Sequence, residues 1–179
     1  MNGPRLSRRA VLGGAAAGAL IGPKAALAAP RGTGDLVREA VDLEQHAVVV
    51  YGAGAEGLPG DLAETCRVFG DQDREHAEGL SRVLRHFRGE PPLEPEGPHA
   101  VRGLESAVEG GPETFARFAL RLEEAAVAFY YEAQAELRDK ALLSATVSIM
   151  ANQSQHLVVL RRALGREPLP SAFETGGVG

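Results

Sequence analysis

From Leu62 onward, apolar side chains recur in steps of four and three residues: Leu62, Cys66 and Phe69, then Leu80, Val83 and Phe87. This is the spacing of a helix that turns one stripe toward a partner. Asp73 and His76 occupy the central positions of that stripe. Burying two titratable groups there is costly unless other groups pair with them, so the rest of the chain has to bring such groups to the middle of this helix. Long Ala/Leu/Glu/Arg-rich segments dominate and period-two alternation is scarce, which predicts an all-α protein. With 179 residues, 44% of them hydrophobic, and no tryptophan, the chain suits one modest domain with a small-residue core.

Residues 1–28 are set apart from the fold. Ser7-Arg8-Arg9-Ala10-Val11-Leu12 is a twin-arginine sequence, followed by a Gly/Ala-rich apolar run from Val11 to Gly22 and by Ala26-Leu27-Ala28, an A-x-A cleavage signal. Together they predict a Tat signal peptide, a partnership with the Tat translocase, and export to the periplasm, cell envelope or exterior. At roughly 12 residues the apolar run is short for a membrane span, and none is expected in the mature form. Cleavage after Ala28 removes Arg5, Arg8, Arg9 and Lys24, taking the net charge from −5 to −9. So acidic a domain is a poor ligand for nucleic acid or anionic lipid. Cys66 is the only cysteine, which excludes an intramolecular disulfide and reads as a small buried hydrophobe.

After a linker over residues 29–34, the bundle is expected over residues 35–167. A first helix runs from about Asp35 to Ala53, with Thr33 or Asp35 as cap and the stripe Val37, Val41, Glu44, Val48, Tyr51. The turn Gly57-Leu-Pro-Gly-Asp61, with Asp61 as N-cap, folds a second helix (about Leu62 to Arg88) antiparallel to it. Residues 89–112 hold Pro91, Pro92, Pro95, Pro98 and Pro112 and read as a crossover with at most a short helix over 101–109. A third long helix covers about Glu113 to Leu137 and a fourth about Ala141 to Leu164, with stripe Leu142, Thr146, Ile149, Gln153, His156, Leu160, Ala163; residues 168–179 form a tail.

The two halves repeat. At an offset of 79, Leu43-Glu44 falls on Leu122-Glu123 and Tyr51 on Tyr130; at 80, Asp73 falls on Gln153, His76 on His156 and Leu80 on Leu160. Glu123 is preferred to Glu124 because the alternative register sets Arg117 and Arg121 against Val37 and Val41. Residues i and i+3 share a helix face, so four helices packed on their stripes bring Glu44, Asp73, His76, Glu123, Gln153 and His156 to one level. Carboxylates with two imidazoles suit one or two first-row metal ions; without metal, crowded carboxylates repel and at least one takes up a proton. Tyr51 and Tyr130 are expected in the core with each hydroxyl bonded to a carboxylate. His46, Glu124, His86 and His99 are expected on the surface, and Glu132 and Glu136 on a solvated face.

One Glu from each of two helices with Glu-x-x-His from each of two others is the di-metal pattern of the ferritin-like superfamily, and the chain resembles Tat-exported bacterial ferritin-like domain proteins over nearly all of its mature length. The resemblance implies a four-helix bundle of two hairpins joined by a long crossover, which lets the second and third long helices run parallel. It also implies a centre of two iron or manganese ions on Glu44, Asp73, His76, Glu123, Gln153 and His156. Asp73 and Gln153 stand where the pattern has Glu. Some ferritins resemble this chain in carrying Gln at the second of these places, and the substitutions imply unequal sites with the Glu44/Asp73/His76 side the tighter. The expected function is oxidation of iron, or reaction with oxygen or peroxide. The alternative is a non-enzymatic exported bundle, stress-related or partner-binding, with a degraded metal site. A homo-oligomer is left open, and an iron-storing cage ranks last.

Overall fold

A computed structural model describes residues 31–177; the twin-arginine segment and cleavage signal lie outside the described residues. Among these there are five α-helices and no strand: α1 (Thr33–Gly57), α2 (Asp61–His86), α3 (Leu104–Glu109), α4 (Gly111–Glu136) and α5 (Lys140–Ala163). None is long and apolar enough to cross a membrane. α1 packs on α2 and α4 on α5 as two hairpins.

Side-chain pairings fix the directions. Tyr51 meets Glu123 while Tyr130 meets Glu44, so α1 and α4 run antiparallel. Phe69 stacks on His156, Gln72 reaches Asn152, and Gln153 reaches Asp73, so α2 and α5 are antiparallel as well. α2 and α4 are therefore parallel, which only a connection running the length of the bundle can join. Residues 87–103 supply it. The prolines keep that stretch out of a long helix, and the Gln45 amide holds it to α1 by donating to the Pro92 carbonyl at 3.4 Å. The short helix is α3, which begins at Leu104 and buries Leu104 and Ala107.

Several local expectations are corrected. Thr33, Asp35 and Asp61 are not caps: α1 and α2 are preceded by Gly32 and Gly60, neither with a side-chain cap. Gly60 has φ +70°, a left-handed turn that glycine adopts without a Cβ clash, and Asp61 then places its charge in the first turn of α2, where the helix dipole favours it. The side-chain cap is Asp139, which accepts from the Leu142 N–H at 2.8 Å and starts α5. At its end the α2 stripe buries Leu84 in place of Phe87, which is exposed. In α1 Ala47 is buried where Val48 is only partly so, and Ala163 is exposed. In a straight helix the 3.6-residue period drifts against a strict 4-3 step, so the ends of a stripe rotate out of the core.

Two apolar clusters form, one holding Tyr51, Phe69, Phe115 and Leu160, the other Val41, Leu84, Tyr130 and Leu142. The helices approach closely in the first: a Cβ on Gly54 would lie 2.5 Å from Phe115 Cζ and 2.7 Å from Cys66 Sγ. Burial pushes the Cys66 thiol up to about 12, so it stays protonated and behaves as an apolar side chain. Beyond α5 the tail turns back: Arg161 meets Glu174 at 2.6 Å.

Candidate metal centre

Between the two clusters lies a polar layer. Glu44 and Asp73 are fully buried, Glu123, Gln153 and His156 are 1% exposed, and the His76 side chain is 18% exposed. The structure thus brings all six sequence-predicted residues into the interior and leaves Glu124 at the edge of the bundle, beside Arg161 at 3.9 Å. Register explains the choice of Glu123: it sits seven residues before Tyr130 on the face α4 turns to α1.

The tyrosines tie the hairpins together reciprocally. Tyr130 donates to Glu44 Oε1 at 2.6 Å, and Tyr51 donates to Glu123 Oε1. Each hydroxyl serves the carboxylate of the other hairpin, an exchange that antiparallel packing of two equivalent helices imposes. Burial, then the charge of the adjoining carboxylate, raises both phenol pKa values well above the ordinary value, so at neutral pH both are donors.

Asp73 is the hinge of the arrangement. Glu44, Asp73 and His76 can offer one ligand atom each within 4.8 Å of one another, and so can Asp73, Glu123 and His156. One carboxylate therefore belongs to both groups, where the sequence implied a separate acid-or-amide ligand for each hairpin. Gln153 acts as a donor: its Nε2 lies 3.1 Å from Glu44 Oε2, 3.3 Å from Glu44 Oε1 and 3.1 Å from Asp73 Oδ1. Asp73 Oδ2 and Gln153 Oε1 are buried without a hydrogen-bond partner.

The protons follow the environment. Burial opposes a charge on His76, but hydrogen bonds to Asp73 and Glu44 outweigh it and lift its pKa to about 9. Burial takes His156 the other way, to about 4. Burial raises Asp73, and burial with the charge of Asp73 raises Glu123 well above the carboxylate range. This is the proton uptake expected of crowded carboxylates without a cation.

Gln72, off the apolar stripe of α2, belongs to the layer as well. Its Oε1 accepts from His156 Nε2 at 2.7 Å and from Asn152 Nδ2 at 3.4 Å. With its Nε2 proton committed outward, neutral His156 turns the Nδ1 lone pair inward, 3.0 Å from Glu123 Oε1. Two acceptors so close require a proton or a cation between them. Gln72 could have been found from the repeat, since at an offset of 80 it pairs with Asn152, a second amide one residue before Gln153. Elsewhere Glu136 is not simply solvated: it holds Arg31 through two guanidinium contacts, at 2.8 and 3.2 Å, and a backbone N–H at 2.9 Å. His46 is half-buried and lies 2.7 Å from the Asp42 carbonyl.

The donor set fits divalent cations. Three buried carboxylates, an imidazole with its lone pair inward, a second imidazole against two carboxylates and two unpartnered buried oxygens are hard and borderline ligands with negative charge left over. Fold and site together define an all-α bundle with a buried carboxylate/histidine layer able to hold metal. The family profile described as ferritin-like domain matches residues 32–166, and the chain belongs to that family. Compared with curated proteins, it finds no significant match.

Proposed function

We propose that this protein is exported by the Tat route and holds a two-ion iron or manganese centre in its polar layer, where it oxidises iron or reacts with oxygen or peroxide. Glu44, Asp73 and His76 would hold one ion, and Asp73, Glu123 and His156 the other, with the unpartnered Oε1 of Gln153 as a further oxygen donor. The observation that carries the reading is Asp73: one buried carboxylate shared by two ligand groups, with an oxygen that nothing else satisfies. A bound redox metal would supply reversible electron transfer to an oxidant. The chain's own residues do the rest. Tyr51 and Tyr130 orient the Glu123 and Glu44 carboxylates, Gln72 fixes which nitrogen of His156 faces inward, and the two apolar clusters keep bulk water from the layer. The alternative, a non-enzymatic bundle with a degraded site, is favoured by the donors already on Glu44, since Tyr130 and Gln153 together engage both its oxygens.

Elemental analysis of residues 29–179, with anaerobic Fe2+ or Mn2+ loading and a melting curve before and after, separates the two. The metal reading expects retained metal approaching two ions per chain and a higher melting temperature, since a ligand specific to the folded state stabilises it by mass action. No bound metal and an unchanged melting temperature would leave the alternative.

A further inference from the structure

The two histidines of the layer are related by the internal repeat, yet they are held very differently. His156 is pinned from two sides: its ring stacks on Phe69 with centroids 3.7 Å apart, and its Nε2 donates to Gln72 Oε1 at 2.7 Å. At an offset of 80, the counterparts of Phe69 and Gln72 around His76 are Ile149 and Asn152. Neither completes the equivalent contact. Asn152 is one methylene shorter than Gln72, and its Oδ1 is buried with no partner; Ile149 offers no ring to stack on. The consequence shows in exposure, 18% for the His76 side chain against 1% for that of His156.

The place of this looseness follows from helix geometry. Gln72 touches α5, and His76, four residues on, shares that edge of α2. Ala77, Ser81 and Arg74 lie toward the opposite edge, where they line a groove with α1 and the crossover. α2 and α5 are bridged at this level by the long Asn152–Gln72 hydrogen bond of 3.4 Å. Shorter bonds, Gln153 to Asp73 at 3.1 Å and His156 to Gln72 at 2.7 Å, close the rest of that seam, and His76 is the most exposed of the six layer residues.

We propose that this seam is the path by which a cation reaches the layer, with His76 as its movable inner door and Asn152 as the residue that keeps the door unlatched. The Asn152 oxygen, buried and unpartnered, offers a cation that has entered the seam a ligand in exchange for a water on its way to Glu44 and Asp73. A glutamine at 152 would reproduce the Gln72–His156 latch on His76. The inference rests on the metal-binding reading above.

Stopped-flow uptake of Co2+ by the full chain, followed by cobalt d–d absorption, tests it, together with release into excess chelator. Asn152→Gln should slow uptake and release by the same factor, about fivefold or more, leaving stoichiometry and equilibrium affinity unchanged, because a gate alters both rates and no end state. Gln72→Asn should unlatch His156 and speed uptake. Unchanged rates in Asn152→Gln, or a changed affinity with an unchanged uptake rate, would overturn the gate and make Asn152 a structural neighbour. If Asn152→Gln folds poorly by circular dichroism, Asn152→Ser carries the test: it keeps a small oxygen ligand but no latch, so uptake no slower than wild type is expected, and uptake slowed fivefold would overturn the proposal. Wild-type protein that binds no cobalt would instead overturn the metal centre itself.

Discussion

At the scale of single residues, Asp73 carries more than its position suggests. It is fully buried, one oxygen accepts from Gln153, and the other has no partner. Burial raises its pKa, so its charged form is an expense to the metal-free fold that a cation would offset. Asp73→Asn separates the two roles. The amide keeps an oxygen for Gln153 and removes the charge, so the metal-free variant should melt no lower than the wild type. The same change takes a carboxylate from both ligand groups, and metal retained after dialysis should fall at least tenfold. Parallel melting curves and elemental analysis check both halves; a variant that kept its metal would show that Asp73 is not shared.

At the scale of the helices, the hairpins are set by close backbone approach as much as by apolar stripes. Gly54 lies where α1 faces both Cys66 of α2 and Phe115 of α4. Alanine there gains about 1 kcal/mol of helix propensity over glycine, but its methyl would sit 2.5 Å from the Phe115 ring, and overpacking of this kind costs about 1–3 kcal/mol. The clash should win, and Gly54→Ala should lower stability in urea denaturation. At the open site Gly52, which has nothing within 4 Å of an added Cβ, the same substitution should raise it. Equal effects at the two positions would mean that the helices yield where they meet.

At the scale of the whole molecule, the polar layer ties stability to pH. In the metal-free protein the folded-state pKa of His76 is raised to about 9 from an ordinary value near 6.5. Its contribution is therefore fully present below about pH 6.5 and is lost as pH rises through 9. Asp73 and Glu123, also raised, push the same way, because the folded state holds protons that the unfolded state has released. The melting temperature of the metal-free protein should fall between pH 6.5 and 9. A bound cation replaces those protons, so the loaded protein should show a flatter profile and should release protons on loading; calorimetry in buffers of different ionisation enthalpy measures the release.

The sequence by itself determined the helical class, the order and rough extent of the four long helices, and the six inward-facing polar residues. All of these follow from the 3.6-residue period and from a repeat that places Glu44 on Glu123 and His76 on His156. Periodicity reports which face of a helix is buried but not what lies opposite, so everything that depends on pairs of helices was left to the tertiary structure. Only packing assigned Tyr51 to Glu123 and Tyr130 to Glu44, made Asp73 common to the two groups that could hold a metal ion, and showed Gln153 as a donor. Gln72 and Asn152 lie at the edge of their stripes, where a one-dimensional pattern cannot tell solvent from a neighbouring helix. Across the α2/α5 seam the longer of those amides, Gln72, reaches a histidine at 2.7 Å, while the Oδ1 of the shorter, Asn152, is left without a partner.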